Sequence, residues 1–231
     1  MSRPTIVHPI TEVKVPSTGN AIKIRPLLVR EEKLLLMAKT SNTVSEILGA
    51  IKQIVQSCIH GNFDVNKLAI FDLEFIFLRL RAISINNIAK ITVKDPEDES
   101  EHNFNVNLDE ITVEKNPEEQ DTITFDKFAI KMCYPSAALY ADPEFTNPEN
   151  NNTNKLLVSC IESVWEGDKK FDMNAVETLE FIDDLPIPVY AKINKFFETM
   201  PKLHYEIKYQ NTKGTERTLT LSSLEDFFQF V

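Results

Sequence analysis

The sequence predicts an α+β fold: a helical core with an inserted acidic antiparallel β-sheet and a C-terminal β-hairpin plus short helix. Three observations carry this. Apolar residues recur at helical spacing from residue 29 to 84 and again from 155 to 200. The period changes to two between 87 and 135 and between 203 and 221. The chain has 231 residues, 42% hydrophobic and 26% charged, which suits a soluble globular protein that needs no staples to hold a core.

Taken in order, Val13 and Val15, then Ile22 and Ile24, alternate on either side of the turn Pro16-Ser17-Thr18-Gly19-Asn20 and read as strands. A helix is expected from about Val29 to Lys39, with Leu34, Leu35, Leu36 and Met37 as its buried part. The next helix has the clearest stripe: Val44, Ile47, Leu48, Ile51, Ile54, Val55, Cys58 and Ile59, with Ser41 or Asn42 as cap and Gly61 past its end. Phe71 to Ser84 is apolar nearly all round, as a helix at the centre of a core is. From Asn87 to Pro135 short alternating runs (Ile91 and Val93; Phe104, Val106 and Leu108; Ile111 and Val113; Ile123 and Phe125; Phe128, Ile130 and Met132) read as an antiparallel meander with one wet face.

Asp142 to Asn154 has loop composition. Helices are expected again from Lys155 through Val164 and Trp165, from Asn174 to Leu185, and from Pro188 to Met200 with Pro201 as terminator. A hairpin turning at Asn211-Thr212-Lys213-Gly214 and a short aromatic helix, Ser222 to Val231, complete the chain. The implied organisation is residues 1–86 as N-terminal strands and a helical half, 87–135 as the acidic insert, and 136–231 as a C-terminal helical half with the terminal hairpin.

Charge is unevenly placed. The net charge is −10, and Asp95 to Asp121 holds eleven acids against the single base Lys115, so the remainder is balanced. A balanced remainder has no basic stripe for phosphate backbones, which disfavours nucleic acid as a partner. The acidic run reads as a solvated face. No run approaches membrane-spanning length, so no membrane partner is expected. Cys58, Cys133 and Cys160 form no C-x-x-C pair, and Cys58 and Cys160 fall on apolar positions, as free thiols of a reducing cytoplasm do.

Catalytic signatures are missing. His8, His60, His102 and His204 have no ligand-spaced neighbours, and neither nucleotide-binding glycine motifs nor G-x-S-x-G occur. Lys213-Gly214-Thr215 lacks the upstream glycine of a phosphate loop. Asp183 and Asp184 are adjacent on a helix and diverge by about 100°. No enzyme, metal or cofactor is expected. Candidate partner-binding residues are Arg79 and Arg81, which sit at i and i+2 on an apolar helix and point apart, and Phe227, Phe228 and Phe230 at the C-terminal end. Each has a plainer reading: pairing or snorkelling for the arginines, packing on the hairpin for the phenylalanines.

Several stretches resemble the baseplate hub subunit and hub assembly proteins of T-even-type contractile-tailed phages. They are Val15-Pro16-Ser17 through Arg25-Pro26 into Arg30-Glu31-Glu32-Lys33-Leu34-Leu35-Leu36-Met37-Ala38; Ala50-Ile51-Lys52-Gln53-Ile54-Val55 followed by Cys58; and Phe71-Asp72-Leu73-Glu74-Phe75 with Leu78-Arg79-Leu80-Arg81-Ala82 and Ser84. The tail adds Phe196-Phe197, Met200-Pro201-Lys202-Leu203, and Leu224 with Asp226-Phe227-Phe228. Many members of that family look ribbon-like, with paired cysteines in the middle sheet. Here the loops Lys94 to Glu101 and Gln210 to Gly214 have none, so any zinc of those relatives is not inherited. The resemblance implies an assembly chaperone that binds phage baseplate hub proteins in the cytoplasm of the infected host. A permanent structural subunit of the hub, resident in the virion baseplate, is the alternative, and a small hydrolase a distant third.

Overall fold

The computed structural model describes residues 6–41, 43–147, 149–150 and 152–227. In chain order its elements are β1 (Thr11–Lys14), β2 (Ala21–Ile24), α1 (Val29–Ser41), α2 (Val44–Cys58), β3 (Ile59–His60), α3 (Ile70–Ser84), β4 (Ile88–Lys94), β5 (Glu101–Asn107), β6 (Thr112–Glu114), β7 (Thr122–Phe125), β8 (Phe128–Met132), α4 (Ala137–Tyr140), α5 (Pro143–Thr146), α6 (Thr153–Cys160), β9 (Ile161–Glu166), β10 (Lys169–Phe171), α7 (Ala175–Asp183), α8 (Ile187–Thr199), β11 (Lys202–Gln210), β12 (Glu216–Leu221) and α9 (Leu224–Phe227). The fold is mixed α+β.

Helix α3 lies at the centre because its sequence leaves no polar face to turn to water. Phe71, Leu73, Ile76, Phe77, Leu78 and Leu80 are all fully buried. Around it pack α2, through Ile51, Ile54, Val55 and Cys58, the inner faces of β1 and β2, through Val13, Ile22 and Ile24, and Val15 just past β1. The turn between β1 and β2 is pinned to the first turn of α3, where the Ser17 N–H and hydroxyl donate to the buried carboxylate of Asp72 at 2.9 and 2.6 Å. The start of α2 differs from expectation. Its N-cap is Thr43, without a side-chain cap bond, and Asn42 lies outside the described residues. The end of α1 falls next to this turn. Its inner face carries Leu34, Leu35 and Ala38, whereas Leu36 and Met37, expected to be buried, are 57% and 70% exposed.

The strands of 87–135 form where the alternation places them, but they join three sheets and not one meander. β4 and β5 pair only with each other, β6 adds to the terminal hairpin in the order β12-β11-β6, and β7 and β8 belong to the sheet β10-β9-β8-β7. The apolar residues accordingly form two clusters. One gathers β1 to β6, the first three helices, the terminal hairpin, Leu224 and Phe227. The other gathers Ile123, Ile130, Met132, Leu157, Cys160, Val164, Ile182, Val189, Ile193 and Phe196.

A second correction concerns residues 161–166. The helix expected through Trp165 stops at Cys160, and Ile161–Glu166 is strand β9, paired with β8 and β10. The deciding feature is Gly167. Its φ of +57° suits the turn that folds Lys169–Phe171 back onto Val164–Glu166, and Ile, Val and Trp favour a pleated surface. Helix α7 starts where expected, on a reciprocal cap: Asn174 accepts from the Val176 and Glu177 N–H groups, and Glu177 accepts from the Asn174 N–H.

Candidate partner-binding surface

The structure gives Arg79 an internal task. Its guanidinium leaves α3 and donates to the Leu108 carbonyl at 2.8 Å and the Ile111 carbonyl at 2.9 Å, and it lies 4.7 Å from the centre of the Phe75 ring. It thus closes the turn between β5 and β6 onto the helix. Arg81 donates at 3.1 Å to the Asn86 carbonyl just past the end of α3. Burial lowers the pKa of both groups. The two arginines are not brought together. Phe227 is 2% exposed and packs in the first cluster with Leu224. Phe228 and Phe230 lie outside the described residues.

Part of the acidic segment is likewise engaged within the chain. The loop from β4 to β5 grips the turn from β11 to β12. Asp95 accepts from the Tyr209 hydroxyl at 2.8 Å, Glu97 from Arg217 at 2.8 Å and Asn211 at 3.0 Å, and Asp98 from the Thr212 N–H at 2.8 Å. The Tyr209 ring packs on Phe104 of β5, with centroids 5.4 Å apart. Burial opposes ionisation of Asp95, but the Glu97 N–H, Tyr209, Asn211 and the Arg217 charge outweigh it and hold the carboxyl below its usual range. Hydrogen bonds from Ser100 and Thr212 likewise hold Asp98 below its usual range.

Among the described residues, two apolar surfaces are candidates for a partner. The first is the outer face of α1. Val29, Lys33, Leu36, Met37 and Thr40 fall on one side by helical spacing, and Val29, Leu36 and Met37 are 65%, 57% and 70% exposed. The inner face is anchored by a buried ion pair: Arg25 Nη2 lies 2.9 Å from Glu31 Oε1, and Arg25 also donates to the Pro26 and Ser57 carbonyls at 2.9 Å. The helix is therefore fixed in orientation, with apolar side chains held outward.

The second is a groove of about 310 Å³ lined by Val44, Ile47, Leu48 and Ile51 of α2, Ile70 and Glu74 of α3, Tyr140 of α4, and Ser223, Leu224 and Glu225 at α9. Glu74 accepts the Leu224 N–H at 3.2 Å. Burial pushes its pKa up to about 7 against that hydrogen bond, with Glu225 and Asp226 adding to the rise. Residue-by-residue reading overlooked both surfaces, although the signals were present. Four consecutive apolar residues, Leu34 to Met37, cannot all face one side of a helix, and Glu74 is a lone glutamate in an apolar one.

Among the described residues no group of three or more histidines, cysteines or acids could hold a metal ion, and no helix is long and apolar enough to cross a membrane. The α1 face and the groove are lined mainly by apolar side chains, the chemistry of a protein contact. No curated protein and no solved structure matches the chain significantly. A family model does match, over residues 8–229, which takes in both apolar clusters, the outer face of α1 and the groove, and the chain belongs to the family it describes, the T4 bacteriophage base plate protein family.

Proposed function

We propose that this base plate protein is an assembly chaperone for the hub at the centre of the phage tail baseplate, acting by protein–protein contact in the cytoplasm of the infected bacterium and without catalysis. The observation that supports this reading is the outer face of α1. It presents three large apolar side chains on a rigidly anchored helix, which is enough for a moderate, reversible interface and small beside an obligate one. A chaperone of this kind covers the bare interface of a hub protein until the proper neighbour displaces it.

Co-expression tests the reading directly. Each hub protein is produced with the wild-type chain or with a Leu36→Glu, Met37→Glu variant in cells lacking other phage proteins. The wild type is expected to keep one hub protein soluble and to co-elute with it. The variant, altered only at exposed positions, should fold normally and fail to do so. A variant that solubilises the hub protein as well as the wild type does would exclude the α1 face.

A further inference from the structure

The groove of α2, α3 and α9 and the segment ahead of β1 have complementary chemistry on one chain. Ile6, Val7 and Ile10 are 71%, 90% and 53% exposed, and the segment Ile6–Ile10 joins no strand. Pro9 keeps it extended, since the ring fixes φ and bars the preceding His8 from helical backbone. Its only ionisable side chain is His8, and Arg3 lies just ahead in the sequence with no acid before Glu12. The groove offers the converse: seven apolar side chains edged by the carboxylates of Glu74 and Glu225, with no cation among its described lining residues.

The arm does not lead to the groove of its own chain. Thr11 pairs with Ile24, and Ile24 with Ile59, so the arm departs beside the C-terminal end of α2. The groove lies at the other end, along Val44–Ile51 of α2 and the first turns of α3. β1 runs towards that end, because the turn after it is held by Asp72, so the chain ahead of β1 points away. Five extended residues reach about 17 Å, and the α2 wall of the groove, eight residues from Val44 to Ile51, is about 10 Å long.

We propose that the groove is filled by the arm Ile6–Ile10 of a second copy of this chain. The contact is heterologous: each copy gives an arm to one neighbour and a groove to another, so copies add head to tail until a ring closes or a filament grows. This inference does not depend on the hub-assembly reading and can fail without it.

Sedimentation velocity of the full chain, from micromolar to hundreds of micromolar, is the test. It compares the wild type, Ile10→Asp, Val44→Lys, an equimolar mixture of those two variants, and a chain ending at Phe227. Ile10 and Val44 are 53% and 51% exposed, so both variants should melt as the wild type does. The expected results are concentration-dependent species larger than a dimer for the wild type, and association weakened at least about tenfold in each variant. The mixture should form a one-to-one dimer, because one partner keeps an intact groove and the other an intact arm. A wild type that stays monomeric throughout, association untouched by Ile10→Asp, or a mixture no better than its parts would overturn the proposal. Association that begins only when residues 228–231 are removed would also overturn it, by assigning the groove to the chain's own tail.

Discussion

Replacing Arg25 with Met removes the cation from the pair that anchors α1 and leaves two carbonyls, those of Pro26 and Ser57, without their donor. Glu31 stays in place, 4% exposed, with only the Leu28 N–H and the Arg30 guanidinium to hold its charge. Breaking a buried pair from one side costs about 3–5 kcal/mol where the remaining charge is left uncompensated; Arg30 stays beside Glu31 here, so a loss near the lower end is expected. The pH dependence gives the sharper check. Burial works against the Glu31 carboxylate, but the bonds from Arg25, Arg30 and the Leu28 N–H prevail and bring its pKa down from 4.5 to about 2.

A depressed folded-state pKa contributes stability that is present above the unfolded value and lost as pH falls through the folded one. Here the contribution is about 3 kcal/mol at neutral pH, of which about 2 kcal/mol is gone by pH 3. The variant's Glu31, lacking Arg25, takes up its proton at higher pH. The difference between wild type and variant should therefore be largest near pH 7 and shrink steadily below pH 4.5. Urea denaturation at closely spaced pH values measures it. A cost below about 1 kcal/mol at pH 7, or one that does not change down to pH 3, would refute the reasoning. A double variant, Arg25→Met with Glu31→Leu, should recover most of the loss, since neither charge is then buried alone.

Arg79→Met keeps the packing on Phe75 but leaves the Leu108 and Ile111 carbonyls unpaired, a loss of about 2–3 kcal/mol that thermal denaturation would register; an effect within about 0.5 kcal/mol would mean water replaces the guanidinium. Glu74 behaves oppositely to Glu31. Burial raises its folded pKa to about 7, so stability should fall by about 3 kcal/mol as pH rises from 4.5 through 7, and Glu74→Gln should flatten that slope; parallel slopes in the two proteins would place the effect elsewhere. The clasp on the terminal hairpin has depressed carboxyls at Asp95 and Asp98, so its contribution is lost at acid pH. Amide exchange of Thr212 and Thr215 should accelerate there before that of the α3 amides, and simultaneous exposure of all of them would show that the clasp does not open by itself.

What the sequence could say about this fold depended on whether the relevant signal was local. The stripe of α2 through Cys58, the all-apolar α3 and the turn at Asn211–Gly214 are local, and each appears where expected, although Ile59, expected on the α2 stripe, belongs to β3. The strands between 88 and 132 were legible singly, because a period of two says which face of a strand is wet. It does not say which strand lies alongside, and that choice is made by residues far away: Val113 opposite Leu203, Ile130 opposite Val164. Ile161, Val164 and Trp165 continue the helical spacing of Leu157 and also suit a strand. Pairing with β8 and the turn at Gly167 settled it.

The candidate partner-binding residues and surfaces were harder to read. Pairing of an α3 arginine with an acid is a plain expectation from sequence, and Arg79 does lie 3.4 Å from Asp109; its shorter bonds go to the Leu108 and Ile111 carbonyls, backbone atoms about thirty positions away with no side-chain signature. The groove combines α2, α3, α4 and α9, which only the folded chain brings together.

The claim that this chain assists hub assembly and then leaves is tested most directly by quantitative mass spectrometry of infected-cell lysate and of purified particles. The account predicts abundant protein in the lysate and none in the particle beyond carry-over. A fixed small copy number in every particle would contradict it and identify a permanent subunit of the baseplate.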